Sequence, residues 1–181
     1  MACVSKNYYM GYLSNQQTSD NCTVIGVVGL IITVLLFLLK VNIFYCLLCL
    51  AICAVLLIAP VISTRRMEKY WSELEASGKR DFVLTDFGTS KSMHHDSIRL
   101  GEHYIFRRYL GVPLEYDQIT RMYEYIKTSD GQVVSHSIEC ITVDDKKYVL
   151  CDLGRSASGA AAMEVMSAIR THNPAIVIGC E

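Results

Sequence analysis

The dominant feature of the hydropathy pattern is a pair of long apolar runs early in the chain. Residues 23–39 and 43–63 contain no Asp, Glu, Lys, Arg or His, and only Lys40, Val41 and Asn42 separate them. As α-helices the runs would be about 26 and 32 Å long, close to the ~30 Å hydrocarbon core of a bilayer. Two helices joined by so short a turn must be antiparallel. The pattern therefore predicts a transmembrane helical hairpin over residues 23–63.

Polar sequence flanks the hairpin on both sides. Residues 1–22 form an N-terminal polar tail containing three tyrosines, and the pattern leaves open whether it is an interfacial segment or a disordered tail. After the hairpin, residues 64–80 predict a juxtamembrane helix, because apolar residues recur at helical spacing from Met67 to Leu74. Ser77 and Gly78 would end this helix.

Basic residues predict how the hairpin is oriented. Arg65, Arg66 and Lys69 directly follow the second run, whereas the turn carries only Lys40. Because Lys and Arg are enriched on the cytoplasmic side of membrane proteins, we expect a cell-membrane protein with two spans and both termini in the cytoplasm. Arg65, Arg66 and Lys69 form a basic collar that would attract anionic lipid headgroups.

The interior of the two spans favours packing over transport. Transport paths usually contain ionisable groups within the membrane, and these runs have none. Cys46, Cys49 and Cys53 lie on one face of the second helix, and small residues such as Gly26 and Gly29 allow close helix approach. We therefore interpret the cysteine face as a packing surface.

Residues 81–181 have the pattern of a small antiparallel β domain closed by a C-terminal helix. Short runs rich in β-branched and aromatic residues predict strands: DFVLTDFG, SIRLG, HYIFRR and VPLEY. Residues 117–128, which include ITRMYEYIKT, fit both a helix and a strand, with the strand favoured. Residues 133–143 and 146–153 predict a hairpin closed by Asp144 and Asp145. One face of that hairpin would carry Ile138, Cys140, Val149, Cys151 and Leu153.

The end of the chain predicts a helix over residues 158–172 and a last short strand. The helix is rich in Ala and Met, Ser156 or Ser158 would cap it, and Asn173-Pro174 would end it.

Composition excludes some classes of function. The chain has a formal net charge of −1, and residues 65–181 contain 15 Lys and Arg against 17 Asp and Glu. A near-neutral domain argues against nucleic acid as a partner. The 8 cysteines do not show the spacing of a disulfide framework, and we expect free thiols.

Two segments carry the residues that resemble a known family. The first is Ile98–Phe106 (IRLGEHYIF) and the second is Val112–Ile119 (VPLEYDQI). Together with the later hairpin and helix, they resemble small bacterial membrane proteins that carry a pleckstrin-homology-like (bPH-type) domain. The resemblance implies an α+β membrane protein, in which a transmembrane hairpin precedes a PH-like antiparallel β domain. It also implies a binding or assembly scaffold that has no catalytic centre and needs no cofactor.

Two clusters of polar residues are candidate binding sites. His94, His95 and Asp96 are metal-ligand types, but adjacent histidines point apart, so a solvated loop is favoured over a metal site. The loop before the last helix offers a candidate anion site at the helix N-terminus. Its residues are Arg155, Ser156, Ser158 and Gly159. An ordinary strand-to-helix connection explains the same residues, since the P-loop lysine is missing.

The sequence therefore predicts a non-enzymatic binding or assembly scaffold at the bilayer surface. Its partners would be the bilayer, anionic lipid headgroups, and a second copy of the chain or another protein. The alternative is a metal-dependent enzyme that uses His94, His95 and Asp96, with Cys140 or Cys151 nearby.

Overall fold

The structure is a computed structural model that describes residues 4–14, 16–39, 42–155 and 158–180. The described residues up to Leu13 and those from Leu74 onward form one compact unit, the folded domain. Ser14–Glu73 form a second unit, the hairpin unit.

The hairpin unit consists of two long helices, α2 (Gln16–Leu38) and α3 (Ile43–Ala76). Both are long and apolar enough to cross a membrane, and only 11% and 12% of their apolar windows is buried. Helix α2 begins within the predicted polar tail. Helix α3 takes in most of the predicted juxtamembrane helix without interruption and contains Pro60.

The two helices approach closely where their side chains are small. A Cβ atom at Gly29 would lie 2.7 Å from Cys53 Sγ, and one at Gly26 would lie 2.9 Å from the Leu57 side chain. Cys46 and Cys53 are buried, and Thr33 donates a 2.8 Å hydrogen bond to the Gly29 carbonyl. These contacts confirm that the cysteine face is a packing surface.

The folded domain contains two four-stranded sheets. The first has the order β1 (Lys91–Met93), β2 (Ile98–Leu100), β3 (Tyr104–Arg107) and β4 (Leu114–Glu115), and all its pairs are antiparallel. A 3₁₀ turn, Tyr116–Gln118, follows β4 and leads into the second sheet.

The second sheet is built on a long hairpin of β5 (Ile119–Ser129) and β6 (Gln132–Thr142). Of the segment 117–128, residues 119–128 are strand, as favoured, and 117 and 118 belong to the 3₁₀ turn. Its order is β7-β6-β5-β8, with β7 at Lys147–Asp152 and β8 at Val177–Cys180. Strand β8 is parallel to β5. The turn between β5 and β6 has positive φ angles at Asp130 (51°) and Gly131 (74°), as a two-residue hairpin turn requires.

Helix α5 (Gly159–His172) closes the core, as predicted. It buries Ala162, Val165, Met166 and Ile169 in one cluster with residues from both sheets. Ser158 lies at the N-cap position but makes no capping side-chain hydrogen bond, and Ser156 lies outside the described residues.

The predicted face of the β6–β7 hairpin is wrong at one position. Ile138 pairs with Cys151 but Glu139 pairs with Val149, so a β-bulge leaves Leu150 as the extra residue. Leu150 is fully buried, whereas Val149 is only partly buried. A bulge places two residues opposite one and so reverses the alternation of the strand.

A helix replaces the predicted strand DFVLTDFG. Residues Arg80–Thr89 form α4, and its buried residues Val83, Asp86 and Phe87 have helical spacing. The prediction followed β-branched and aromatic content, which tertiary contacts override. Gly78, with a φ of 69°, lies between α3 and α4 and interrupts the helical conformation there.

The predicted polar tail contains a structural helix, α1 (Lys6–Leu13). Tyr9 and Leu13 are fully buried, and the Tyr9 ring packs edge-on against Phe87 and Phe106 at 5.2 and 6.1 Å. The Tyr12 hydroxyl donates to the Phe106 carbonyl at 3.4 Å. Helix α1 is therefore part of the folded domain, although α2 and α3 separate it from the rest in sequence.

Arg99 also contacts α1. Its guanidinium lies over the rings of Tyr12 and Phe87, at 5.4 and 5.2 Å. It also donates to Asp96 Oδ1 at 2.7 Å and to the Tyr8 hydroxyl at 3.3 Å.

Candidate functional site

A groove on the folded domain is a candidate binding site among the described residues. It has a volume of about 330 Å³, within the lower range of small-molecule pockets. Its lining combines aromatic rings, imidazoles and carboxylates. The residues of this aromatic groove are Phe82, Glu102, His103, Tyr104, Glu115, Tyr116, Asp117 and His172.

The buried carboxylate of Asp86 positions one wall of the groove. Asp86 lies on α4 and accepts backbone N–H bonds from Glu102, His103 and Tyr104, at 2.5, 3.2 and 3.0 Å. A Cβ atom at Gly101 would lie only 2.7 Å from Asp86 Oδ1. The residue therefore has to be glycine for the loop to approach α4 this closely.

Aromatic side chains contribute to the lining of the groove. Phe82 contacts His103 and Tyr104, with ring centroids 4.9 and 6.2 Å apart, yet it remains 48% exposed. Tyr116 stacks on His172 at 4.5 Å with the ring planes 5° apart. The Tyr116 hydroxyl donates to the Gly101 carbonyl at 2.9 Å, which fixes its ring against the same loop.

The groove carries an excess of negative charge. Glu102, Glu115 and Asp117 line it, and none of them pairs with a Lys or Arg among the described residues. The Tyr104 hydroxyl donates to Glu115 Oε1 at 3.2 Å. Burial, and then the charge of Glu115, raise the pKa of Tyr104 to about 12. Burial and the charge of Asp86 raise the pKa of Tyr116.

The carboxylates of the groove do not form a metal site. In the part of the chain that the structure describes, no three His, Cys, Asp or Glu side chains come close enough together to hold a metal ion.

The structure gives His94, His95 and Asp96 a conformational role. They form the turn between β1 and β2, and all three have positive φ angles, of 45°, 54° and 64°. The His94 Nε2 atom lies 3.2 Å from the Leu153 carbonyl. Asp96 accepts hydrogen bonds from Ser92 and Arg99. The rings of His94 and His95 lie 5.4 Å apart, so the expectation that adjacent histidines point apart is wrong in this turn, which is neither a strand nor a right-handed helix. Among the described residues, however, no group of three His, Cys, Asp or Glu side chains could hold a metal ion.

The predicted anion site and the basic collar are only partly described. Arg155, Ser158 and Gly159 are exposed, and Ser156 lies outside the described residues. Arg65 and Arg66 are exposed on α3, and Lys69 lies 3.7 Å from Glu73 in an exposed ion pair. Neither group forms a closed site in the structure, and both remain predictions.

The thiols of Cys140 and Cys151 are buried in the core cluster. Burial raises the pKa of each from 9.0 to about 12. A thiol with such a pKa is almost entirely protonated at neutral pH and is a poor nucleophile or metal ligand.

Sequence reasoning missed the aromatic groove because its residues come from separate elements. Phe82 and Asp86 lie in the segment interpreted as a strand, and His172 lies at the end of α5. The spacing of Val83, Asp86 and Phe87 was the available signal for α4.

Comparison with known proteins adds no relative. No family model, no curated protein and no solved structure matches the chain.

Proposed function

We propose that this is a two-span membrane protein that presents a non-enzymatic binding domain at the bilayer surface. The observation that carries the proposal is the packing of α1 in the folded domain. Helix α1 precedes the hairpin in sequence and the rest of the domain follows it, so one folded body is built from both ends of the hairpin.

The surface of the hairpin supports a bilayer as its surroundings. Most large apolar side chains of α2 and the first part of α3 are exposed, including Phe37, Leu39 and Phe44. Apolar area contributes roughly 25 cal/mol per Å² when it leaves water, so this surface is strongly unfavourable in solvent. In a bilayer the same side chains would face lipid, and the helices satisfy their own backbone hydrogen bonds.

The position of α1 supports an even number of crossings. Helix α1 ends at Leu13 and α2 begins at Gln16, and two linking residues span at most about 7 Å. A link of that length cannot bring α1 across a ~30 Å core. Both ends of the hairpin would therefore lie on the side of the folded domain, and the turn between α2 and α3 on the other. The basic collar favours the cytoplasm as the side of the domain.

The order of elements supports a PH-like domain. Short antiparallel strands, then the hairpin around Asp144 and Asp145, then a closing helix follow the order that the resemblance implies. Strand β8, parallel to β5 after the helix, departs from it.

The surroundings of the reactive side chains favour binding over catalysis. His94 and Asp96 hold the β1–β2 turn, and the core thiols are protonated. Tethering would confine the domain to the membrane and raise its effective concentration for partners there. Each residue of the basic collar would add about 1 kcal/mol of attraction to anionic lipid.

Epitope tags in sealed membrane vesicles test the proposal. One tag precedes Met1, one follows Glu181, and one is inserted after Leu39 in separate full-length proteins. We expect protease to reach both end tags from one face of the vesicle and the Leu39 tag only from the other. End tags on opposite faces, or release of the protein by alkaline carbonate, would refute it.

A further inference from the structure

The aromatic groove has a composition that selects a class of ligand. Three features must be explained together: the half-exposed ring of Phe82, carboxylates that have no cationic partner among the described residues, and a rigid wall. An apolar ligand would explain only the rings, and a metal ion only the carboxylates. The ligand must therefore combine a positive charge with apolar volume.

The rings provide the first part of the argument. Phe82 is 48% exposed although it contacts His103 and Tyr104. Tyr104 and Tyr116 also line the groove but are only 8% and 4% exposed, so Phe82 offers the main accessible ring face. The face of a Phe ring carries negative charge density and attracts organic cations. A cation in the groove would therefore contact Phe82.

The carboxylates provide the second part. Glu102, Glu115 and Asp117 carry no ion pair with the described basic residues, and no Lys or Arg belongs to the described lining. Because they do not converge as metal ligands, they suit a cation whose charge is spread over several atoms. Hydrogen bonds from three backbone N–H groups to Asp86 fix the loop that carries Glu102, so little ordering is needed on binding.

We propose that the aromatic groove binds an organic ammonium group, either free in solution or on a lipid headgroup. This inference names a ligand for the binding function proposed above and rests on it. The volume of about 330 Å³ accommodates a methylated ammonium group. The Phe82 ring would contact its methyl groups, and the carboxylates would balance its charge.

Histidine side-chain NMR of the full chain in maltoside micelles provides the test. The chain has 5 histidines, of which His103 and His172 line the groove. We expect tetramethylammonium chloride to shift these two signals in a saturable way, and to leave those of His94, His95 and His136 in place. Sodium chloride at the same concentrations gives the ionic-strength control.

Substitutions identify the groups responsible. Phe82→Leu keeps apolar volume but removes the ring, and should weaken binding about three- to fivefold. Asp117→Asn, at an exposed carboxylate, should weaken it about two- to fivefold. Asp130→Asn removes the same charge from the exposed β5–β6 turn, at the end of the 11-residue strand β5 that lies away from the groove, and should leave the affinity unchanged.

Nanodiscs distinguish the two sources of the ammonium group. If the groove reaches lipid, its histidine signals will already be shifted in phosphatidylcholine discs relative to phosphatidylglycerol discs. If the ligand is free, the signals will match in both discs and shift on addition of tetramethylammonium. A response equal to that of sodium chloride, or equal affinities for Phe82→Leu, Asp117→Asn and the natural chain, would overturn the inference. Because the micelle experiment does not depend on bilayer crossing, its failure is separable from failure of the proposed topology.

Discussion

Replacement of Asp86 by Asn should destabilise the folded domain and release one wall of the aromatic groove. The carboxylate accepts N–H bonds from three consecutive residues, Glu102, His103 and Tyr104. An amide has only one oxygen acceptor, and its NH₂ group would face backbone donors. At least one buried N–H would therefore lose its partner.

The magnitude follows from the nature of these bonds. Hydrogen bonds to a charged group contribute about 1.5–3 kcal/mol, and an unsatisfied buried donor costs about 1–3 kcal/mol. Since the amide oxygen would still accept from some of the donors, we expect the free energy of unfolding to fall by about 2–4 kcal/mol. For a domain of this size, the apparent Tm should fall by roughly 8–16 °C.

Two measurements on the full chain in micelles check this expectation. Circular dichroism follows thermal unfolding, and hydrogen exchange reports protection of the amides of residues 102–104. Asp81→Asn is the matched control, because it removes the same charge from the same helix at a side chain that is 82% exposed. If Asp86→Asn melts within about 2 °C of this control and keeps the three amides protected, the reasoning is wrong.

Three further predictions concern other parts of the molecule. Tyr9→Ala should lower the free energy of unfolding of the domain by about 3 kcal/mol in denaturant titrations, because Tyr9 is fully buried. Tyr8→Ala, at a side chain that is 54% exposed, should cost less than about 1 kcal/mol, and equal effects would show that α1 is not docked. Gly29→Leu should destabilise the α2–α3 pair by about 1–3 kcal/mol in micelles, since a Cβ atom there would lie 2.7 Å from Cys53 Sγ; Val28→Leu, at a side chain that is 49% exposed, should have no such effect. The domain should also lose stability as the pH rises from about 9 to about 12, because the folded pKa of Cys140 is raised from 9.0 to about 12 and its contribution is complete only below the unfolded value. Cys140→Ala should reduce the alkaline slope of unfolding free energy against pH by up to about 1.4 kcal/mol per pH unit, and an unchanged slope would contradict the assignment.

Local patterns were sufficient for those elements whose contacts are local. The apolar runs predicted the two long helices, and the patterns after residue 118 predicted the positions of β5, β6 and β7. The break after α3 was also predictable, because Gly78 takes a positive φ that most residues avoid.

Elements that depend on distant partners were missed. Helix α1 has only 8 residues, too few for a stable isolated helix. It folds because Tyr9 and Tyr12 contact Phe87 and Phe106, which lie beyond the hairpin in sequence. The bulge at Leu150 likewise depends on the pairing between two strands. The aromatic groove combines residues from separate parts of the chain, so no continuous sequence motif indicates it.

Helix α4 connects two of the missed features, because it contacts both the aromatic groove and α1. Phe82 near its start lines the aromatic groove, Asp86 holds the loop that forms a groove wall, and the adjacent Phe87 packs on α1. A rotation or shift of α4 would therefore change the groove and the α1 contact together, because residues of one rigid turn serve both. Helix α1 leads directly into α2, and α4 follows α3 after a short break. The groove and the surface on which α1 packs are thus parts of one packed structure. Ligand binding at the groove should therefore stabilise α1 in its packed position.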